Sequence, residues 1–307
     1  MIQKIKTNHI FKGDAKSILK SLPGESVDMV MTSPPYWALR DYHVKGQLGL
    51  ESNFEEYILK LCDVFDEVKR VLKEHGTCWV NLGDTYSGNS TGKTDIKYSE
   101  YMKYQQRKLQ KRSNGYPEKS LCMIPLRFAV EMVKRSWILR NVIIWHKPNA
   151  MPSSVRDRFT VDFEYLFFFV KSKNYYFNQA REPHKKESIE RTKHKWEGHR
   201  ESGSSYAGMD IRKMCHPDGR NKRCVWSICT KPLKEEHFAS YPQELCRIPI
   251  EAGCPKNGTV LDPFFGAGTT GLVAIKQNKK FVGIEINPSY ISLAKKRIRR
   301  ETSNDSY

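Results

Sequence analysis

Seven short apolar runs, at residues 9–11, 27–31, 77–82, 141–145, 165–170, 259–261 and 281–285, recur along the chain with amphipathic stretches between several of them. Runs this short match buried strands, whereas residues 54–73 carry Tyr57, Leu61, Val64, Phe65, Val68 and Leu72 on one stripe of a helical period. Residues 14–21 form a shorter helix of the same kind. Strands and helices in alternation predict an α/β fold built on a mostly parallel, doubly wound sheet, and 307 residues are enough to bury a substantial core. In open sheets of this type ligands bind outside the C-terminal ends of the strands. Two of the apolar runs end in unusual residues.

The run 27–31 leads into Thr32-Ser33-Pro34-Pro35-Tyr36-Trp37. The amino nitrogen of a nucleobase is a poor nucleophile, because its lone pair is delocalised into the ring. The Ser33 hydroxyl and the Pro34 carbonyl can each accept an amino hydrogen, which draws that nitrogen towards tetrahedral geometry and localises the pair. Pro35 has no N–H and stiffens the turn, and Tyr36, with Trp37 beside it, offers a flat face for an extruded base. An ordinary Ser-Pro-Pro turn accounts for the same residues without chemistry.

The second run continues as Val260-Leu261-Asp262-Pro263-Phe264-Phe265-Gly266-Ala267-Gly268-Thr269-Thr270-Gly271, a strand, a glycine turn and the start of a helix over 272–277. Gly266, Gly268 and Gly271 satisfy G-x-G-x-x-G, and Glu285 ends the next run, close to where a ribose-binding acid is expected. A nicotinamide dinucleotide is therefore a rival ligand. Against it, Asp262 would stand close to the pyrophosphate, and residues 286–307 are too few for a second mononucleotide half unless that half lies earlier in the chain. S-adenosyl-L-methionine fits better. It has no phosphate, its ammonium and sulfonium tolerate nearby acids, and its carboxylate can use turn amides and the helix N-terminus. Glu285 can accept both ribose hydroxyls.

Charge narrows the partner. Fifty-two Lys and Arg against 34 Asp and Glu give a net charge of +18, which points to a polyanion such as nucleic acid. Two stretches interrupt the strand–helix alternation. Residues 85–119 are polar and rich in Gly, Ser, Lys and Tyr, and read either as solvated loop or as a loop covering the substrate. Residues 171–223 are strongly basic, with His184, His194, His199 and Trp196 among the charges, and are expected to contact DNA. No apolar run approaches the roughly 20 residues of a membrane span, and residues 1–7 lack a signal-peptide core, so the expected location is cytoplasmic. The eight cysteines form no Cys-x-x-Cys pair and read as free, mostly buried thiols. A zinc set of Cys215, His216, Cys224 and Cys229 matches no standard knuckle spacing, and no metal is expected.

Ser33-Pro34-Pro35-Tyr36 near one end and Asp262-Pro263-Phe264-x-Gly266-x-Gly268 near the other together resemble the beta-class amino-methyltransferases of DNA. In that family a catalytic motif precedes a basic target-recognition region, which precedes the cofactor motif, and the order here is the same. The resemblance covers about residues 8–84, 121–171 and 225–298. It implies a Rossmann-like, seven-stranded, mostly parallel methyltransferase sheet, circularly permuted, with one reversed edge strand at 165–170 and a basic target-recognition insertion. The implied division is 1–170 for the catalytic part, 171–224 for the insertion and 225–307 for the cofactor-binding part.

By the same resemblance Ser33, Pro34, Pro35 and Tyr36 are catalytic. Asp262, Pro263, Phe264, Gly266, Gly268, Thr269, Glu285 and Asn287 hold S-adenosyl-L-methionine. Asp14, following Gly13, resembles the acid that meets the cofactor's adenine amino group, and it also suits a helix N-cap. Phe238 and Ser240, in a segment from His237 to Pro242 that heads a helix through Arg247, resemble the motif closing over the methionine end. Trp145-His146-Lys147-Pro148-Asn149, with Pro152, resembles the lining of a target-base pocket. The implied reaction is direct methyl transfer to the exocyclic nitrogen of a base flipped out of double-stranded DNA. Carbon-5 methylation of cytosine would need a strand-end cysteine nucleophile, which this sequence does not offer. Ser in the first position of the tetrapeptide resembles the cytosine-N4 enzymes; adenine-N6 is the alternative, and a non-catalytic DNA-binding protein with a vestigial cofactor fold is a third reading. The implied partners are double-stranded DNA and a cognate restriction endonuclease, with no membrane, in a bacterial, archaeal or phage setting.

Overall fold

The structure, a computed structural model, describes residues 5–39, 41–42, 44–88, 116–193, 215–231 and 241–303. Phe238 and Ser240, His194, Trp196 and His199, and residues 89–115 of the polar stretch lie outside the described residues. Two compact units are present: residues 1–177 with 224–307, and residues 178–223.

The first unit is a sheet covered on both faces. In chain order it comprises β1 (His9–Lys12), α1 (Ala15–Ser21), β2 (Val27–Thr32), α2 (Phe54–Val71), β3 (Leu72–Leu82), α3 (Ile124–Lys134), β4 (Ile138–His146) and β5 (Phe163–Val170). The second unit holds β6 (Arg181–Glu182), α4 (Lys186–Lys193) and β7 (Arg220–Asn221), with β6 and β7 paired antiparallel. The chain then returns to the first unit through β8 (Val225–Ser227), α5 (Gln243–Gly253), β9 (Thr259–Asp262), α6 (Thr269–Lys276), β10 (Lys280–Glu285) and α7 (Pro288–Ser303).

Among the described residues the strands lie in the order β1-β10-β9-β2-β3-β5-β4-β8, so a strand from the far end of the sequence sits in the middle, beside β2. Every residue of β2 and β9 is buried, as central strands covered on both faces require. Helices α1, α2 and α3 contribute to one core. On the opposite side α5, α6 and α7 contribute to the other. The stripe read over 54–73 is fully buried, although the helix ends at Val71 and Leu72 already belongs to β3; the helix is fixed at its start by Asn53, whose side chain accepts from Glu56 N at 2.7 Å. Glu55 and Glu56 in its first turn and Lys69 and Arg70 in its last complement its dipole. Asp28 on β2 is buried and anchors two neighbours, accepting from Thr259 N at 2.8 Å and Lys73 Nζ at 2.7 Å.

The mostly parallel sheet agrees with the sequence reading, with two differences. Val225–Ser227 adds a short eighth strand on β4. The reversed strand is Phe163–Val170 as expected, but it lies between β3 and β4 and pairs antiparallel with both. The last five residues of β5 are buried, and an edge position would leave one row of their backbone groups without partners. Five cysteines are buried and all eight are free, although Cys224 and Cys229 are exposed. No described helix is long and apolar enough to cross a membrane.

Candidate functional site

The carboxyl ends of β2, β9 and β10 open onto one cavity of about 450 Å³ in the first unit. Ser33, Pro34, Pro35 and Tyr36 line it from the end of β2; Pro263, Phe264, Gly266 and Thr269 from the turn after β9; Glu285 and Asn287 from the end of β10; Asp14 from the loop after β1. The two motifs of the sequence, more than 200 residues apart, thus share one chamber.

Asp262 and Gly268 are not on its wall. Asp262 is 1% exposed, and its carboxylate is taken up within the protein: Thr32 Oγ1 donates to Oδ1 at 2.6 Å and Phe264 N at 3.0 Å, while Thr270 Oγ1 donates to Oδ2 at 2.6 Å and Tyr241 Oη at 3.2 Å. Burial pushes its pKa up and these donors oppose the shift. The residue therefore ties the glycine turn to the residue before Ser33, and it stands behind the cavity wall on which the sequence reading expects it. The reason is geometric: successive side chains of a strand face opposite sides of the sheet, and that of Asp262 falls on the side occupied by Thr270 and Tyr241. Gly268, at φ 78°, begins α6; a Cβ there would meet Ala294 Cβ at 2.9 Å, so its small size serves packing against α7.

Gly266 differs. At φ 49° its backbone suits glycine, and a Cβ would meet nothing closer than Phe264 O at 3.9 Å. Its N–H donates to Glu285 Oε2 at 2.8 Å and Asn287 N donates to Glu285 Oε1 at 2.8 Å. Both oxygens are thereby fixed, each with a lone pair remaining towards the cavity. Burial, with Asp262 nearby, raises the Glu285 pKa against the two amides. Asp14 caps α1 by accepting from Ser17 N at 2.9 Å through Oδ2, and it lines the cavity as well, so both sequence readings of it are compatible. Arg297, almost fully buried on α7, braces the same turn by donating to Thr269 Oγ1 at 2.8 Å and Ala267 O at 3.3 Å.

In the tetrapeptide Ser33–Tyr36 the two prolines differ. The Pro35 carbonyl accepts from Tyr57 Oη at 2.7 Å, whereas no hydrogen bond within the described residues reaches the carbonyl of Pro34. Tyr36 is held by its hydroxyl, which donates to Glu164 Oε2 at 2.6 Å and lies 3.2 Å from Asn81 Oδ1. Asn81 Nδ2 in turn donates to Glu164 at 3.0 Å, and Lys147 pairs with the other Glu164 oxygen. The Tyr36 ring packs over Gly83, where a Cβ would meet it at 2.7 Å. Burial and the Glu164 charge push the phenol well above its ordinary pKa, so it remains a donor. Trp37, expected beside it as a second stacking face, is 5% exposed; its indole donates to Glu51 O at 3.1 Å and packs edge-on against Phe54.

Of the segment expected around a target base, Trp145 and Lys147 line the cavity. His146 instead bonds Ser227 at 3.0 Å and Asn149 bonds Thr230, while Pro152 is exposed. Asn81 and Glu164 were not singled out in the sequence. Glu164 carried one usable signal: a carboxylate entering the apolar strand Phe163–Val170 needs a buried partner. Among the described residues no group of three or more His, Cys, Asp or Glu is placed to hold a metal ion.

The residues fit S-adenosyl-L-methionine in the chemistry of the wall. A fixed carboxylate suits a diol, a second acid suits an amino group, and an open glycine turn at a helix start suits a carboxylate.

A profile of the DNA methylase family covering N6 and N4 enzymes matches residues 27–296. The chain is similar to the Type II methyltransferase M.Cfr9I of Citrobacter freundii, with 41% identity over 299 residues covering 96% of this chain and 89% of the relative. With M.SmaI of Serratia marcescens the identity is 42% over 294 residues, covering 95% and 90%. Among solved structures, the PvuII cytosine-N4-specific DNA methyltransferase superposes with a TM-score of 0.63 at 18% identity, covering 96% of this chain and 87% of that one. A putative DNA modification methylase of Thermus thermophilus, complexed with S-adenosyl-L-methionine, gives 0.59 at 24% identity, covering 95% and 93%. At such identities these two likenesses establish the fold alone.

Proposed function

The chain belongs to the N6/N4 family of DNA methylases, and on that premise we propose that it transfers a methyl group from S-adenosyl-L-methionine to the exocyclic N4 of a cytosine extruded from double-stranded DNA. The observation that carries the reading is the pair of acceptors at the end of β2, the Ser33 hydroxyl and the unengaged Pro34 carbonyl, in one cavity with the Glu285 carboxylate and the Gly266 turn.

Ser33 and Pro34 accept the two amino hydrogens and localise the nitrogen lone pair. Tyr36, its hydroxyl anchored on Glu164, presents its ring to the base. Lys147, paired with Glu164 in the same wall, offers a donor to the ring nitrogen beside the amino group, an acceptor that cytosine and adenine share, so the choice of cytosine rests on Ser33 in the first position of the tetrapeptide. The cofactor supplies the electrophilic methyl. Glu285 would hold its ribose, Asp14 its adenine amino group, and the 263–269 turn its methionine end, the end to which the sequence also assigns Phe238 and Ser240. Asp262 and Gly268 serve indirectly, through the turn.

The basic insertion, residues 171–224, provides most of the sequence discrimination. A cognate restriction endonuclease shares the recognition site, and both act in the cytoplasm. Single-molecule sequencing of DNA from a host expressing the chain tests the reading. Modified cytosine at one recurrent motif supports it; modified adenine moves the chain to the N6 reaction; and no transfer of tritiated methyl to any DNA leaves a binding protein.

A further inference from the structure

The connection from β4 to β5 carries the most exposed apolar side chain among the described residues. Residues 151–161 are exposed without a break, and within them Phe159 is 96% exposed and Met151 77%. Single exposed apolar side chains are ordinary at a surface, but several on one fully exposed stretch, with an aromatic ring almost entirely in water, mark a contact surface.

The loop is nevertheless rooted. Its feet close on each other through Lys147 N, which donates to Asp162 O at 2.7 Å, and Asn149 is pinned by Thr230 N at 2.8 Å. Those feet stand in the wall of the cavity described above, since Trp145, Lys147, Glu164 and Thr230 all line it. Further along, Arg158 lies 4.1 Å over the Tyr86 ring, and Lys119 neutralises Asp157 at 2.6 Å. With Asp157 so paired, Arg156 and Arg158 leave the segment just before the exposed Phe159 ring cationic. An aromatic ring that follows two arginines, on a loop rooted at the rim of a base pocket, suits a nucleic acid: the ring takes a stacking place and the guanidinium groups meet phosphates.

We propose that Phe159 is a wedge that enters the duplex as the target nucleotide leaves it, occupying the vacated place in the base stack. Extruding a base sacrifices its stacking and pairing, and an aromatic side chain inserted at that step returns part of the stacking. The inference rests on the cavity being the pocket of a flipped base, and holds whether that base is cytosine or adenine.

The test compares the wild type with F159A and F159W on duplexes carrying the site mapped in the host genome, with the target base either paired or mismatched. A mismatched base is already partly unstacked. F159A should lower kcat/KM by about tenfold or more on the paired duplex and by less than about threefold on the mismatched one, with F159W close to the wild type. In a second arm, read by binding without methyl transfer, the wild type should prefer a duplex with an abasic gap to an intact one, and F159A should lose that preference. This arm remains readable if the chain proves not to transfer methyl at all. Equal losses on both duplexes, activity of F159A within about threefold on the paired duplex, or an unaltered abasic preference would each overturn the proposal. A change in sedimentation of F159A that accounts for its activity would assign the loop to a contact between two copies of the chain, and also overturns it.

Discussion

Glu285→Gln separates the structural from the ligand-binding task of the carboxylate at the end of β10. The two oxygens accept from Gly266 N and Asn287 N, each at 2.8 Å. Glutamine keeps one acceptor oxygen and turns an amide N–H towards one of those donors. It also removes the charge that strengthens bonds to a ribose diol. Hydrogen bonds to charged groups contribute about 1.5–3 kcal/mol, so the affinity for S-adenosyl-L-methionine should fall by roughly 10- to 150-fold.

The sign for stability differs. Burial raises the folded-state pKa of Glu285, so the unfolded chain releases this proton at lower pH than the folded one. The associated stability is fully present below the ordinary carboxylate pKa and is lost as pH rises through the folded value. Removing the titration should make the stability of Glu285→Gln, relative to the wild type, climb as pH rises from the ordinary carboxylate range through the raised folded value. Calorimetric titration with the cofactor and denaturant melts across that range measure both quantities. An unchanged dissociation constant would place the ribose elsewhere. A stability difference that falls with rising pH would show that burial does not dominate at this carboxylate.

Ser33→Ala should abolish most turnover in a tritium-transfer assay while leaving cofactor and DNA affinity nearly intact, because the lost acceptor acts on the reacting amine; activity within about threefold of the parent removes Ser33 from the mechanism. Asp262→Ala strips four donors of their acceptor and, with unsatisfied buried groups at about 1–3 kcal/mol each before relaxation, should lower the melting temperature of the cofactor-free protein; an unchanged melt contradicts the bracing role. Tyr36→Phe keeps the ring and loses the bond to Glu164, so it should cost about 1–3 kcal/mol of stability, read by urea melts, with a smaller effect on turnover than Tyr36→Ala. Exchanging residues 171–223 for those of a relative with another target should move the methylated motif on genomic mapping, and an active hybrid that keeps the original motif places recognition elsewhere.

The sheet was legible because each central strand is a run of apolar residues with turn chemistry behind it, as in Val27–Thr32 and Thr259–Asp262. Strand β8 was not, because three residues with only Trp226 buried carry no period. The prolines and glycines of the cavity could be read, since their value is local: a missing N–H, a positive φ. The direction of Asp262 could not, because the donors that claim it include Thr32, 230 residues away. Lys147, Asn81 and Glu164 form one cluster only after the reversed strand is placed beside β3. Trp37 looked like a platform on composition alone and is buried by Phe54, which the sequence places after a loop of undetermined course.

The strand order has a consequence for how the molecule could be divided. Between β1 and β2 the sheet has room for two strands, and both come from the chain beyond residue 258. A break within residues 178–223 would leave a front piece with a two-strand slot and a rear piece made largely of what fills it. Ser33 and Glu285 would then sit on different molecules, each side of the chamber lacking the other. The rear strands insert between neighbours instead of adding at a margin, so reunion means threading a gap along its length. Such a protein is suited to conditional assembly: two transcripts, neither modifying DNA, and a mark written only in cells that make both.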